Sequence, residues 1–213
     1  MAANRVAILG LYRSGSSALA GALHQIGIDM VSPFWMTHFE SDWLSKQLRS
    51  WWNEPYLREM LPQNQRIKIL QAWMAEQESR GGTWIGMKHP LLSLCGPDIL
   101  AAWGKQTHFI WTQRPLTKSI ESLIKKSWWK SSEDGLRRLT ELEIRTLYTA
   151  IQKRLWDKLE EFFRSQPHLG VDYSLMMNDS PRQLLRVCDY LGYKPTNAQF
   201  SEAVRHIMPT SRE

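Results

Sequence analysis

Apolar positions along the chain fall into two kinds of run. Arg5-Val6-Ala7-Ile8-Leu9 is short and branched, the pattern of a strand buried on both faces of a parallel sheet. Ser17 to Leu23 follows with helical spacing behind a serine cap. Further strands are predicted over Thr83 to Lys88, His108 to Thr112 and Leu169 to Tyr173. Helices are predicted over Ser41 to Trp52, Arg66 to Ser79, Pro97 to Trp103, Leu116 to Lys126 and Pro181 to Leu191, the last stopped by Gly192. Leu139, Leu142, Leu147, Ile151, Leu155, Leu159 and Phe162 mark a long amphipathic helix whose polar face reads as solvated surface.

Strands alternating with helices predict an α/β fold in three layers, with a central parallel sheet of about four to five strands flanked by helices. Ligands of such sheets sit at the carboxyl ends of the strands. Here those ends are the loop around Arg13, Lys88-His89-Pro90, Arg114-Pro115 and Tyr173. The first of them, Gly10-Leu11-Tyr12-Arg13-Ser14-Gly15-Ser16-Ser17, has the outline of a phosphate-binding loop. Gly10 and Gly15 keep the G-x-x-x-x-G spacing, but Ser16 stands where a nucleoside triphosphatase has lysine, and the cation is Arg13 inside the loop. Strand, glycine turn and helix aim backbone N–H groups and a helix dipole at an anion. The exchange points to an anionic nucleotide other than ATP or GTP.

Composition narrows the setting. The 213 residues suit one domain with a sizeable core, residues 1–213, and no linker or repeat divides them. No stretch reads as a membrane span or a secretory leader, so a cytoplasmic protein is expected. Cys95 and Cys188 are too few for a disulfide framework or a metal site. The net charge of +6 is spread over helical surfaces, including Lys125, Lys126, Lys130, Arg137, Arg138, Lys153, Arg154 and Lys158. It reads as a solvated face rather than a nucleic-acid interface. Eleven tryptophans are unusual, and Trp43, Trp51, Trp52, Trp128 and Trp129 are candidates to wall a pocket for an apolar or aromatic acceptor.

Taken together, these residues resemble the PAPS-dependent sulfotransferase family. Tyr12-Arg13-Ser14-Gly15-Ser16-Ser17 is similar to the family's loop for the 5′-phosphosulfate. Arg114, at a strand end, and Ser122, eight positions later in the next helix, have the spacing of the pair that holds the 3′-phosphate. His38-Phe39-Glu40-Ser41, Lys88-His89-Pro90 and the segment from Val171-Asp172-Tyr173 to Leu191-Gly192 are weaker echoes. The resemblance implies PAPS as donor, 3′,5′-ADP as product, a small acceptor and no metal. It places Arg13, Ser14, Gly15, Ser16 and Ser17 at the phosphosulfate, Arg114 and Ser122 at the 3′-phosphate, and Tyr173 beside the nucleotide. Two departures stand out. Pro115 directly follows Arg114, with Ser119 as a competing hydroxyl, and the family's Gly/Lys-rich C-terminal loop is missing, leaving Arg205 or Arg212 to replace it.

Sulfuryl transfer depends on in-line positioning and on stabilising the leaving phosphate. Arg13 is the candidate for that charge, helped by Lys88. A hydroxyl acceptor also needs a base. Glu40 is the first candidate through the resemblance. His89 is the second, because an ordinary histidine titrates near neutrality, and His38 the third. The sequence is also compatible with a P-loop-type nucleotide or small-molecule kinase and with a non-catalytic nucleotide or polyanion-binding module.

Overall fold

The computed structural model describes residues 3–31, 38–53, 57–126 and 138–208. Its centre is a parallel sheet of four strands: β1 (Asn4–Gly10), β4 (Trp84–Lys88), β5 (Thr107–Gln113) and β6 (Leu169–Asp172), in the order β4-β1-β5-β6. A two-stranded hairpin, β2 (Trp52–Asn53) with β3 (Arg58–Glu59), lies apart from it. The helices are α1 (Ser16–Gln25), α2 (Asp42–Trp51), α3 (Gln63–Ser79), α4 (Gly96–Trp103), α5 (Leu116–Lys126), α6 (Glu141–Phe163), α7 (Tyr173–Asn178), α8 (Ser180–Leu191) and α9 (Asn197–Ile207).

Because side chains alternate across a strand, β1 feeds two cores. Ala7 and Leu9 face a layer built from α2, α3, α4 and α6, with Leu48, Trp51, Trp73 and Leu155 among its buried residues. Val6 and Ile8 face the opposite layer of α1, α8 and α9, with Leu19, Leu23, Leu184 and Ile207. Both faces are covered, which is why β1 reads as an unbroken apolar run. The expected three-layer α/β fold with a parallel sheet is therefore present.

The strand order places the functional ends. From β1 the chain crosses to β4 on one side, and then to β5 and β6 on the other. The strand order thus reverses at β1, the kind of switch point at whose carboxyl ends a crevice lies. Registers of Ile8 with Lys88, Gly10 with Thr112 and Gln113 with Asp172 align those ends.

Several predicted details change. The strand predicted to end at Tyr173 stops at Asp172, whose carboxylate accepts from Leu175 N–H and starts α7. Leu142, assigned to the apolar stripe of α6, is exposed; the buried stripe keeps the expected Leu155 and Leu159 but reaches them through Ile144, Tyr148 and Gln152. Packing against α5 through Leu123, Ile144 and Tyr148 selects that face. No described helix is long and apolar enough to cross a membrane.

Candidate active site

Between β1 and α1 the backbone makes two left-handed turns, at Arg13 (φ 64°) and Gly15 (φ 89°). Gly15, rather than a serine, occupies the N-cap of α1, and no side chain caps that helix. A helix start left without a side-chain acceptor presents first-turn N–H groups and positive dipole charge to an anion. Ser14 belongs to the frame of this loop. Its N–H donates to the Leu11 carbonyl at 3.2 Å, and its buried hydroxyl lies 2.8 Å from Thr112 Oγ1, which donates to the Leu9 carbonyl.

Side chains from distant elements hold the loop backbone. Ser93 Oγ accepts from Gly10 N–H (3.0 Å) and donates to its carbonyl (2.9 Å). Gln152, buried in α6, accepts from Tyr12 N–H (3.2 Å) and donates to the Tyr12 carbonyl (2.8 Å). Ser119 donates to that same carbonyl and accepts from Gln152 Nε2. The hydroxyl that competes with Ser122 by sequence is thus already engaged beneath the loop.

Ser122 meets Arg13 instead, accepting from Nε at 3.1 Å. Arg114 donates from Nη1 to the Arg13 carbonyl at 2.7 Å, and its Cζ stands 4.5 Å from the centre of the Tyr173 ring. That ring lies against Gly15 so closely that a methyl group there would overlap it. Pro115 leaves the junction intact, because its carbonyl accepts from Ser119 N–H and opens α5. Burial, and then the neighbouring Arg114, pull the Arg13 guanidinium below its ordinary pKa. Two cations drawn together in partial burial form a site that favours an anion.

Lys88, the last residue of β4, joins the loop to Glu40. Its ammonium donates to Ser17 Oγ (2.9 Å), to the His38 carbonyl (3.4 Å) and to Glu40 Oε1 (2.5 Å). The Lys88 and Glu40 side chains are only 3% and 10% exposed. Burial alone raises the Glu40 pKa, but Lys88 and then His89 outweigh it and hold the carboxyl below the usual range. For Lys88, burial draws the pKa down against the pull of Glu40. His89 Nδ1 accepts from Leu91 N–H at 3.1 Å, so its proton sits on Nε2, which faces Glu40 Oε2 at 3.8 Å. Burial pushes the His89 pKa down to about 4, with Glu40 opposing. His38 is likewise lowered, first by burial.

The family model described as sulfotransferase matches residues 5–197. The chain belongs to the sulfotransferase family. Among solved structures, sulfotransferase STF9 from Mycobacterium avium is similar with a TM-score of 0.73 and 14% identity, over 100% of this chain and 70% of that one. The sulfotransferase domain of the Synechococcus PCC 7002 olefin synthase gives 0.57 and 19%, over 92% and 76%. The sulfotransferase domain from the curacin biosynthetic pathway gives 0.56 and 16%, also over 92% and 76%. At such identities the likeness is one of fold. Curated protein sequences offer no match.

In this sulfotransferase two of the tryptophans expected around a pocket are core residues, Trp51 and Trp52. Their place is set by packing of α2 and the hairpin, where Arg66 stands 5.0 Å from the Trp52 ring. Trp43 is 38% exposed and stacks on Trp73, which stacks in turn on buried Trp103. Trp128, Trp129, Lys130, Arg137 and Arg212 lie outside the described residues. Arg205 sits in the last turn of α9 and pairs with Glu202 at 2.6 Å. Among the described residues no group of His, Cys, Asp and Glu could hold a metal ion. Ser93, Thr112 and Gln152 are the contributors that sequence reasoning missed. Gln152 had a readable sign, a polar residue four after Tyr148 and three before Leu155 on a stripe that is otherwise apolar.

Proposed function

We propose that the protein transfers a sulfuryl group from PAPS to a hydroxyl or amine of a small acceptor and releases 3′,5′-ADP. One observation carries this reading: Arg13, Arg114, Ser122 and Tyr173, from three separated stretches of chain, converge beside the uncapped start of α1. Two guanidiniums and a helix terminus suit a ligand with phosphate at both ends. Arg13 and the backbone and hydroxyls of Gly15, Ser16 and Ser17 serve the phosphosulfate, while Ser14 frames the turn. Arg114 and Ser122 serve the 3′-phosphate, and Tyr173 holds Arg114 against the nucleotide.

In the transfer, the acceptor O–H or N–H gives its proton to the Glu40 carboxylate. The acceptor atom forms a bond to sulfur as the bond from sulfur to the bridging oxygen breaks, and the electron pair leaves on the phosphate of 3′,5′-ADP. Arg13 and Lys88 stabilise that charge. His89 is buried, with Nδ1 taken by Leu91 N–H and Nε2 facing Glu40 Oε2 at 3.8 Å, so it steadies Glu40 rather than replacing it. Trp43, exposed and three residues from Glu40, offers an apolar surface for the acceptor.

Titration calorimetry with 3′,5′-ADP, 5′-AMP and Mg-ATP tests the donor. Binding is expected to depend on the 3′-phosphate and not on magnesium, and Arg114→Ala to reduce 3′,5′-ADP to the level of 5′-AMP. A preference for Mg-ATP would overturn the reading.

A further inference from the structure

We infer that Lys88 is shared between donor and base: without donor its ammonium holds Glu40, and an anion on the Arg13 loop draws it away, so that the carboxylate becomes a free base only once the donor is seated. This rests on the function proposed above and specifies how its site is regulated. An ammonium has three N–H donors. In Lys88 all three have acceptors, on Ser17, His38 and Glu40, so a further acceptor must displace one. Ser17 lies in the first turn of α1, where the helix terminus favours an anion. A charged oxygen arriving there competes with Glu40 for the same buried cation, over the reach of a single side chain.

His89 makes the exchange workable. Its Nε2–H faces the second Glu40 oxygen at 3.8 Å, and its Nδ1 is fixed by Leu91 N–H. A neutral imidazole can therefore keep the carboxylate aimed after the ammonium leaves, without neutralising it. Other charges facing this cluster are Arg13 and Lys126, which act on His38, and Arg49, which acts on His89. A carboxylate held by Lys88 is a poor proton acceptor, and its release on donor binding gives an ordered reaction with donor first.

The test is a double-mutant cycle read by 3′,5′-ADP affinity. Glu40→Gln is expected to tighten binding about fivefold or more, because Lys88 no longer has a competing partner. Lys88→Met is expected to weaken it. In the Lys88→Met background, Glu40→Gln should bring no gain. A gain that persists there is through-space charge alone and overturns the inference. Should Lys88→Met fail to fold, calorimetry of wild type and Glu40→Gln in two buffers of different ionisation enthalpy decides the matter, run at about pH 5, where a freed carboxylate takes up protons and one held by Lys88 does not. Greater proton uptake by wild type supports the release of Glu40, and equal uptake overturns it. Wild type that does not bind 3′,5′-ADP refutes the donor reading itself, whereas binding without the Lys88-dependent gain refutes only this inference.

Discussion

Gln152 reaches from the middle of α6 to both the N–H and the carbonyl of Tyr12, 140 residues away. It fixes the peptide that precedes Arg13, whose left-handed backbone sets the direction of the guanidinium. Gln152→Leu removes both bonds and takes the Gln152 acceptor from the half-buried Tyr12 N–H, at a cost of about 1 kcal/mol in stability. Because the loop loses its hold, KM for the donor should rise roughly tenfold while kcat falls less, a change on the order of 1.4 kcal/mol. Steady-state kinetics alongside thermal unfolding check this. An unchanged donor KM in a destabilised variant would make Gln152 a structural residue only. The charged residues of α6 are solvated as the sequence suggests, but Gln152 is not one of them, and it was legible only by its place on the buried stripe.

Each strand of the sheet ends in a short turn that delivers one part of the site, and the turn before α1 is the most constrained. Gly15 combines a positive φ with close contact to the Tyr173 ring. Gly15→Ala adds left-handed strain of about 1–2 kcal/mol, and its methyl must also push the ring that carries Arg114. A lowered melting temperature together with loss of 3′,5′-ADP binding is expected from calorimetry. Full binding by the variant would show that Tyr173 does not need its seat on Gly15. The four principal strands and the helices between them were legible because apolar period and turn residues are local properties. Helix α9 escaped, although Thr196 and Gln199 form a reciprocal capping box that stands in the sequence. The 17-residue α3 begins three residues before the predicted start, with Pro62 at its N-cap.

Across the whole molecule, buried ionisable groups tie stability to pH. His89 has its pKa held at about 4 in the fold, below its usual 6.5, so the fold prefers the neutral ring. The stability this provides is complete above the unfolded value and is lost as pH falls from 6.5 towards 4. Glu40, held below the usual carboxylate range, acts in the same direction, since its contribution is lost as acid protonates it. The share of His89 is on the order of 3 kcal/mol. Denaturant midpoints should therefore fall steadily from about pH 7 to about pH 5, with a shallower slope for His89→Gln. A flat profile would mean that His89 is not held neutral. By itself the sequence determined the α/β class, the loop bearing Arg13 and the strand end bearing Arg114, because strand period, glycine spacing and motif order are written within a few residues. Only the tertiary structure decided that Ser122 meets Arg13 while Ser119 supports the loop, and that Lys88 is buried against Glu40, 48 residues away. Those pairings depend on strand order and register, which bring the carboxyl ends of β4, β1, β5 and β6 to one crevice and leave each side chain only the partners found there.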